Sequence, residues 1–140
     1  MTDHTSAVYG TPPDGLVDIP SASVQCSPRV PGALLLADMI PDSLGAIVVH
    51  APANAIERRR VLALSLRALA PGGRLTALAH NTRGGTRLSD DLAGFGCTVA
   101  ARPKRHHQIV DTTRPERAGQ LDTTALEAAI ADGAPRQLSD

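Results

Sequence analysis

Aromatic side chains are almost absent from this 140-residue chain: Tyr9 and Phe95 stand alone, and there is no tryptophan. A core must therefore come from leucine, valine, isoleucine and alanine, and a stacking platform of Phe, Tyr or Trp rings for nucleobases is excluded. Excess charge is also lacking. Lys and Arg number 14, as do Asp and Glu, so attraction to a polyanion has to come from local clusters. The two cysteines, Cys26 and Cys97, match no metal or redox spacing and read as reduced, buried or half-buried residues. No apolar run approaches bilayer-spanning length, and MTDHTSAVYG has no basic-then-apolar leader pattern. The expectation is a soluble, cytoplasmic protein with no membrane partner.

What is present is one strong pattern, from Ala46 to Gly85. Ala46-Ile47-Val48-Val49 is a short β-branched run, suited to a strand buried on both faces of a parallel sheet. Asn54 and Glu57, three apart, form a helix-capping pair. Leucines and alanines then recur at helical spacing from Ile56 to Ala70, with Val61, Leu62, Leu66 and Leu69 as the apolar stripe. Pro71 stops the helix, Gly72-Gly73 permit a tight turn, and Leu75 to Ala79 is the next strand. This is a βαβ unit.

The remaining elements are shorter. Residues 1–15 are expected to be frayed and loop-like, 16–119 to form the α/β domain, and 120–140 a C-terminal helix and tail. Leu16–Ile19 and Ser23–Cys26 are marginal strands, and Gly32–Met39 suits either a short helix or a buried strand. Thr86–Phe95 reads as a helix with Leu88 and Leu92 on one face, and Cys97–Ala101 as a strand. Arg102–Arg105 reads as a basic turn, with His106–Asp111 the antiparallel return strand. Thr124 and Glu127 form a second capping pair opening a helix through Ala131, with Gly133 and Pro135 as stop signals. The fold class is α/β, Rossmann-like: a partly parallel sheet with flanking helices, central parallel strands near Ala46 and Leu75, and a C-terminal antiparallel hairpin.

The succession PDSLGAIVVHAPAN, helix, LRALAPGGRLTALA is similar to the later strands and helices of class I S-adenosylmethionine-dependent methyltransferases. A narrower match runs through Asn81-Thr82-Arg83-Gly84-Gly85-Thr86-Arg87, Phe95-Gly96-Cys97 and Lys104-Arg105-His106-His107. It resembles the bacterial 16S rRNA guanine-N2 methyltransferases built from two homologous halves, of which the N-terminal half has lost cofactor binding and supports folding and substrate binding. VYGTPPDGLVDIP and SPRVPGALLL look like the opening of that half, so the resemblance spans Tyr9 to Arg136. A cofactor-binding half carries a glycine-rich turn after its first strand and an acid after its second. Here Gly10, Gly15 and Gly32 are isolated among prolines. Catalytic halves also carry Asn-Pro-Pro-aromatic after the fourth strand, where this chain has His50-Ala51-Pro52-Ala53-Asn54.

The resemblance thus implies an incomplete methyltransferase fold serving as a non-catalytic, rRNA-binding half. Its partners are a catalytic half, in cis or in trans, and rRNA, with a homodimer also open, and the chain alone needs no cofactor. The alternative is a minimal or truncated methyltransferase holding S-adenosylmethionine in an atypical site near His50, Asn54, His80 and Asn81. A third is a piece of a longer gene product, since relatives run on into a catalytic domain after Leu138-Ser139-Asp140.

Candidate RNA or anion contacts are Arg58, Arg59, Asn81, Arg83, Gly84, Gly85, Arg87, Lys104 and Arg105. Backbone N–H groups at Asn81–Gly85 can hold a phosphate beside Arg83 and Arg87, or the glycines merely permit a turn. Arg58-Arg59-Arg60 lie in a helix's first turn, where positive charge opposes the dipole by ~0.3–1 kcal/mol each. They are either a solvated face or, with Arg102, Lys104 and Arg105, a phosphate surface. His106-His107 point to opposite faces if both lie in a strand and so do not chelate one ion. No catalytic or metal residue is assigned.

Overall fold

A computed structural model describes residues 5–28, 30–117 and 119–134. Its centre is a six-stranded sheet in the order β2-β1-β3-β4-β6-β5. The strands are β1 (Thr5–Tyr9), β2 (Val24–Gln25), β3 (Leu44–His50), β4 (Leu69–His80), β5 (Val99–Lys104) and β6 (His107–Thr113). β2, β1, β3 and β4 are mutually parallel, while β6 runs antiparallel to both β4 and β5. The helices are α1 (Ala55–Ala68), α2 (Leu88–Gly94) and α3 (Thr123–Asp132), with single 3₁₀ turns at Leu36–Asp38, Asn81–Arg83 and Gly85–Arg87. The central pair is β3 and β4, as their β-branched and leucine-rich sequences require.

Alternation along the strands splits the core in two. Ile47, Val49, Leu75, Ala77, Ala79 and Val110 face the helices, packing with Leu62 and Leu66 of α1, Leu88 and Leu92 of α2, Phe95, and Leu126 of α3. On the opposite face Val8, Val48, Leu78 and Ile109 form a second, smaller cluster with Leu16 and Val17, from the loop after β1. The helical layer is therefore one-sided. Between β1 and β3 the described residues contain no α-helix, only the 3₁₀ turn at Leu36–Asp38. A doubly wound fold would place crossover helices there.

Several elements depart from the sequence reading. Thr5–Tyr9, expected to fray, forms β1 because Ala7 and Val8 are sandwiched between β2 and β3; residues 1–4 lie outside the described set. Leu16–Ile19 is a loop, not a strand, and Leu16 acts as its apolar anchor. The tight turn expected at Pro71–Gly73 is instead part of β4, which begins at Leu69, so the helix expected to reach Ala70 ends at Ala68. Gly72 has φ +82°, and the register against β3 jumps between Leu44–Leu69 and Ala46–Arg74. The strand begins early because Gly72 N–H donates to Arg114 O and Arg114 N–H to Gly73 O. β5 reaches Lys104, so the basic turn shrinks to Arg105-His106, whose φ values are +50° and +62°. The helix expected at Thr86 begins with the Gly85–Arg87 turn and becomes α-helical only at Leu88. Helix α3 is capped by Asp122, whose side chain accepts from Ala125 N–H, rather than by Thr124 with Glu127. Gly133 ends it; Pro135 and the tail lie outside the described residues.

Candidate functional site

In an open α/β sheet, ligands bind at the carboxyl ends of strands where the winding reverses. That reversal lies between β1 and β3, because β1 is followed by β2 on one side while β3 and β4 grow on the other. A groove of about 680 Å³ opens there, lined by Tyr9 and Gly10 after β1, Ser27 after β2, His50 and Asn54 after β3, Glu57 of α1, and His80 and Arg83 after β4. A larger hollow of about 750 Å³ lies at the other end of β4, along Arg74, Thr113 and Arg114.

The groove's walls are committed internally. Gln25 at the end of β2 turns its side-chain amide onto Gly10, accepting from Gly10 N–H at 3.2 Å and donating to Gly10 O at 2.9 Å. The same Oε1 accepts from Cys26 and Ser27 N–H. A Cβ built at Gly10 (φ +81°) would lie 3.1 Å from His50 Cβ, so the backbone leaving β1 is pressed against β3. Asn54 Oδ1 caps α1 by accepting from Glu57 N–H at 3.0 Å. Burial, with the nearby His107 charge, pushes the His50 imidazole below its ordinary value of 6.5 against an opposing hydrogen bond to the Thr11 backbone. His50 is thus biased toward the neutral ring.

The segment after β4 is a compact turn. His80 Nδ1 accepts from Thr82 N–H at 3.2 Å, capping Asn81–Arg83. Gly84 sits at φ +91°, and a Cβ there would lie 2.5 Å from an Arg58 guanidinium nitrogen; one at Gly85 would lie 2.5 Å from Ala79 O. Close packing therefore requires both glycines. Asn81, Arg83 and Arg87 are exposed, and Asn81 N–H donates to His106 O. The first turn of α2 already carries Asp90 and Asp91, whose charge answers the positive end of its dipole.

The arginine triplet divides three ways. Arg58 is only 4% exposed, and its Nε donates to Asp91 at 2.7 Å while a terminal nitrogen donates to Ala53 O. The expectation that Arg58 offers its charge to an outside anion is corrected: that charge is spent on tying α1 to α2. Arg60 donates to Ile130 O of α3, and Arg59 is left exposed. Lys104 and Arg105 are exposed and donate to the carbonyls of Gly15 and Asp14. Of the proposed contacts, the fold brings Lys104, Arg105 and Asn81 to the β5–β6 turn and Arg83 to the groove. Arg59 and Arg87 belong to elements on the helical face.

Two roles were invisible in sequence. The Gln25 clasp depends on a two-residue strand beside β1, and Asp91 lies 33 positions from the arginine it neutralises. Among the described residues no group of three or more His, Cys, Asp or Glu could hold a metal ion, and no helix is long and apolar enough to cross a membrane.

No family model and no curated protein sequence matches the chain. Solved structures do. The T. thermophilus 16S rRNA N2 G1207 methyltransferase RsmC, solved with AdoMet and guanosine, aligns at 17% identity and TM-score 0.59 over 86% of this chain and 38% of that one. One chain of a Haloferax volcanii complex containing the Trm112 methyltransferase activator aligns at 11% identity and TM-score 0.45, over 57% of this chain and 59% of the other. The antibiotic-resistance methyltransferase Kmr aligns at 13% and 0.38, over 54% and 51%. This chain spans less than two thirds of each of these neighbours. The alignment with RsmC shows the fold: a six-stranded, Rossmann-like α/β domain.

Proposed function

We propose that this methyltransferase-like domain is non-catalytic and serves as a structural and rRNA-contacting partner of a catalytic methyltransferase half, in the same chain or another. The observation that carries the reading is the Gln25 clasp. In a cofactor-binding domain the backbone leaving β1 stays open to the ligand and an acid follows β2 to receive ribose hydroxyls. Here both polar groups of Gly10 are taken by Gln25, and Cys26 and Ser27 follow in place of an acid. These residues offer S-adenosylmethionine neither an open β1 backbone nor an acid after β2. Among the described residues no α-helix lies between β1 and β3, so none turns its N-terminus to the groove from that side, which points the same way.

The test is calorimetric titration of S-adenosylmethionine into the purified chain, together with transfer of labelled methyl to ribosomal RNA. The expected result is no heat of binding at micromolar cofactor and no transfer. Micromolar binding, or transfer by the chain alone, would overturn the reading in favour of the alternative, a minimal methyltransferase with an atypical site. The groove itself supports that alternative, with its neutral-biased His50 beside Asn54 and His80.

A further inference from the structure

The chain lacks aromatic rings for stacking bases, yet three imidazoles gather at one point of the fold. His80, ending β4, lies with its ring centroid 5.2 Å from that of His107 in an edge-on arrangement and 6.3 Å from that of His106. The register explains it: His80 pairs directly with His107 across the β4–β6 ladder, and Lys104 pairs with His107 across β5–β6. Between them the hairpin turns through Arg105 and His106, both with positive φ and both exposed. Unstacked RNA bases are bound on histidine rings as well as on Phe, Tyr and Trp, and on guanidinium planes.

The electrostatics agree. The groups facing the cluster are Lys104 of β5, Arg105 of the turn, His50 of β3 and Arg83 after β4, with Asp14 on the loop beneath Arg105. Glu57 lines the groove beyond. Farther along β6, Asp111 accepts from Thr76 Oγ1 at 2.8 Å and lies 3.7 Å from Arg102. Among the described residues the ion pairs are Arg58–Asp91, Arg102–Asp111 and Arg114–Asp42, so neither Lys104 nor Arg105 has a carboxylate partner. Each instead donates to a loop carbonyl.

We infer that the β5–β6 hairpin tip, with His80 beside it, is a binding patch for single-stranded RNA. In it Lys104 and Arg105 take phosphates, and the imidazoles of His80, His106 and His107 take bases. This rests on the rRNA-contact half of the proposed function and moves that contact away from the arginines of α1.

The experiment is fluorescence anisotropy of a labelled single-stranded RNA against the intact chain, over a salt series. H80N/H106Q/H107Q is expected to weaken binding about tenfold, the scale of one lost base–ring stack; His80→Asn keeps a capping acceptor. K104A/R105A is expected to weaken binding and to flatten the log–log salt slope by about 1.4, from about 0.7 per lost phosphate. H106Q alone, at an exposed ring, keeps the test open if the triple variant fails to fold. RNA binding that is indifferent to these substitutions would overturn the inference while sparing the rRNA-contact reading. A preference for duplex over single strand would also overturn it. Absence of RNA binding at every salt concentration would overturn both.

Discussion

Arg58 and Arg59 are neighbours in sequence with the same chemistry, and their mutants should behave as differently as core and surface. Arg58→Met keeps the aliphatic stem but removes a guanidinium whose side chain is 5% exposed. Asp91, 13% exposed on its side chain, then loses its 2.7 Å partner, and Ala53 O loses the donor at 3.1 Å. Removing one partner of a buried pair costs about 3–5 kcal/mol, mostly because the remaining charge stays buried and unanswered. Against a total stability of about 5–15 kcal/mol that is about a fifth or more. At about 4 °C per kcal/mol for a domain of this size, Tm should fall by about 12–20 °C. Arg59→Met, on the exposed side of the same helical turn, should stay within about 0.5 kcal/mol. Urea unfolding followed by far-UV circular dichroism measures both. In R58M/D91L the second change should recover much of the loss, since the pair rather than either residue is at issue. A loss below about 1 kcal/mol in R58M, or strict additivity in the double variant, refutes the reasoning and returns Arg58 to the surface.

Three further outcomes follow from local geometry. R105N/H106G places at the β5–β6 turn the residues that its two positive φ angles favour; since a non-glycine left-handed residue costs about 1–2 kcal/mol, the urea midpoint should rise, and an unchanged midpoint counts against strain there. Gly73→Ala sets a Cβ 2.8 Å from Ala70 O and 3.1 Å from Leu44 O, and Gly96→Ala sets one 2.3 Å from Gln120 O; each should cost about 2 kcal/mol or more, whereas Gly94→Ala, with open space around it, should cost nothing measurable. His50 has a folded-state pKa below its ordinary value, so the unfolded chain binds the proton first. Its contribution to stability is present above about pH 6.5 and is lost as pH falls through the lower folded value, so wild type minus H50Q stability should shrink on acidification.

The parts legible in sequence were those set by local chemistry. The β-branched run at Ala46–Val49, the Asn54 cap and the leucine stripe of α1 each follow from nearest neighbours, and the structure has all three. The sheet's class followed from those elements and from the antiparallel return of β6. What escaped was decided at a distance. Thr5–Tyr9 looks polar and terminal until β2 and β3 close on either side of it. The cap of α3 passed to Asp122, whose own N–H donates to Phe95 O. The arginine triplet read as a single basic run, but helical rotation points one residue at Asp91, one at Ile130 and one outward. The imidazole cluster was hidden because His80 lies 27 residues from its ring partner, and only the antiparallel ladder joins them.

The one-sided helical layer also sets the order in which the domain comes apart. On the helical face, β3 and β4 are locked beneath α1, α2 and α3; on the other, among the described residues, Val8, Val48, Leu78 and Ile109 are sealed by Leu16 and Val17 of the loop after β1. Lifting that loop breaks the Leu16 contacts and the two hydrogen bonds from Lys104 and Arg105, and it disturbs no helix. Amides of β2 and of the loop after β1 should therefore exchange with deuterium through a small, separate opening. Those of β3 and β4 should exchange only when the whole domain unfolds. Each such opening bares an apolar strip on the sheet while the rest of the fold stands, so the molecule's tendency to self-associate should track this local event rather than its overall stability.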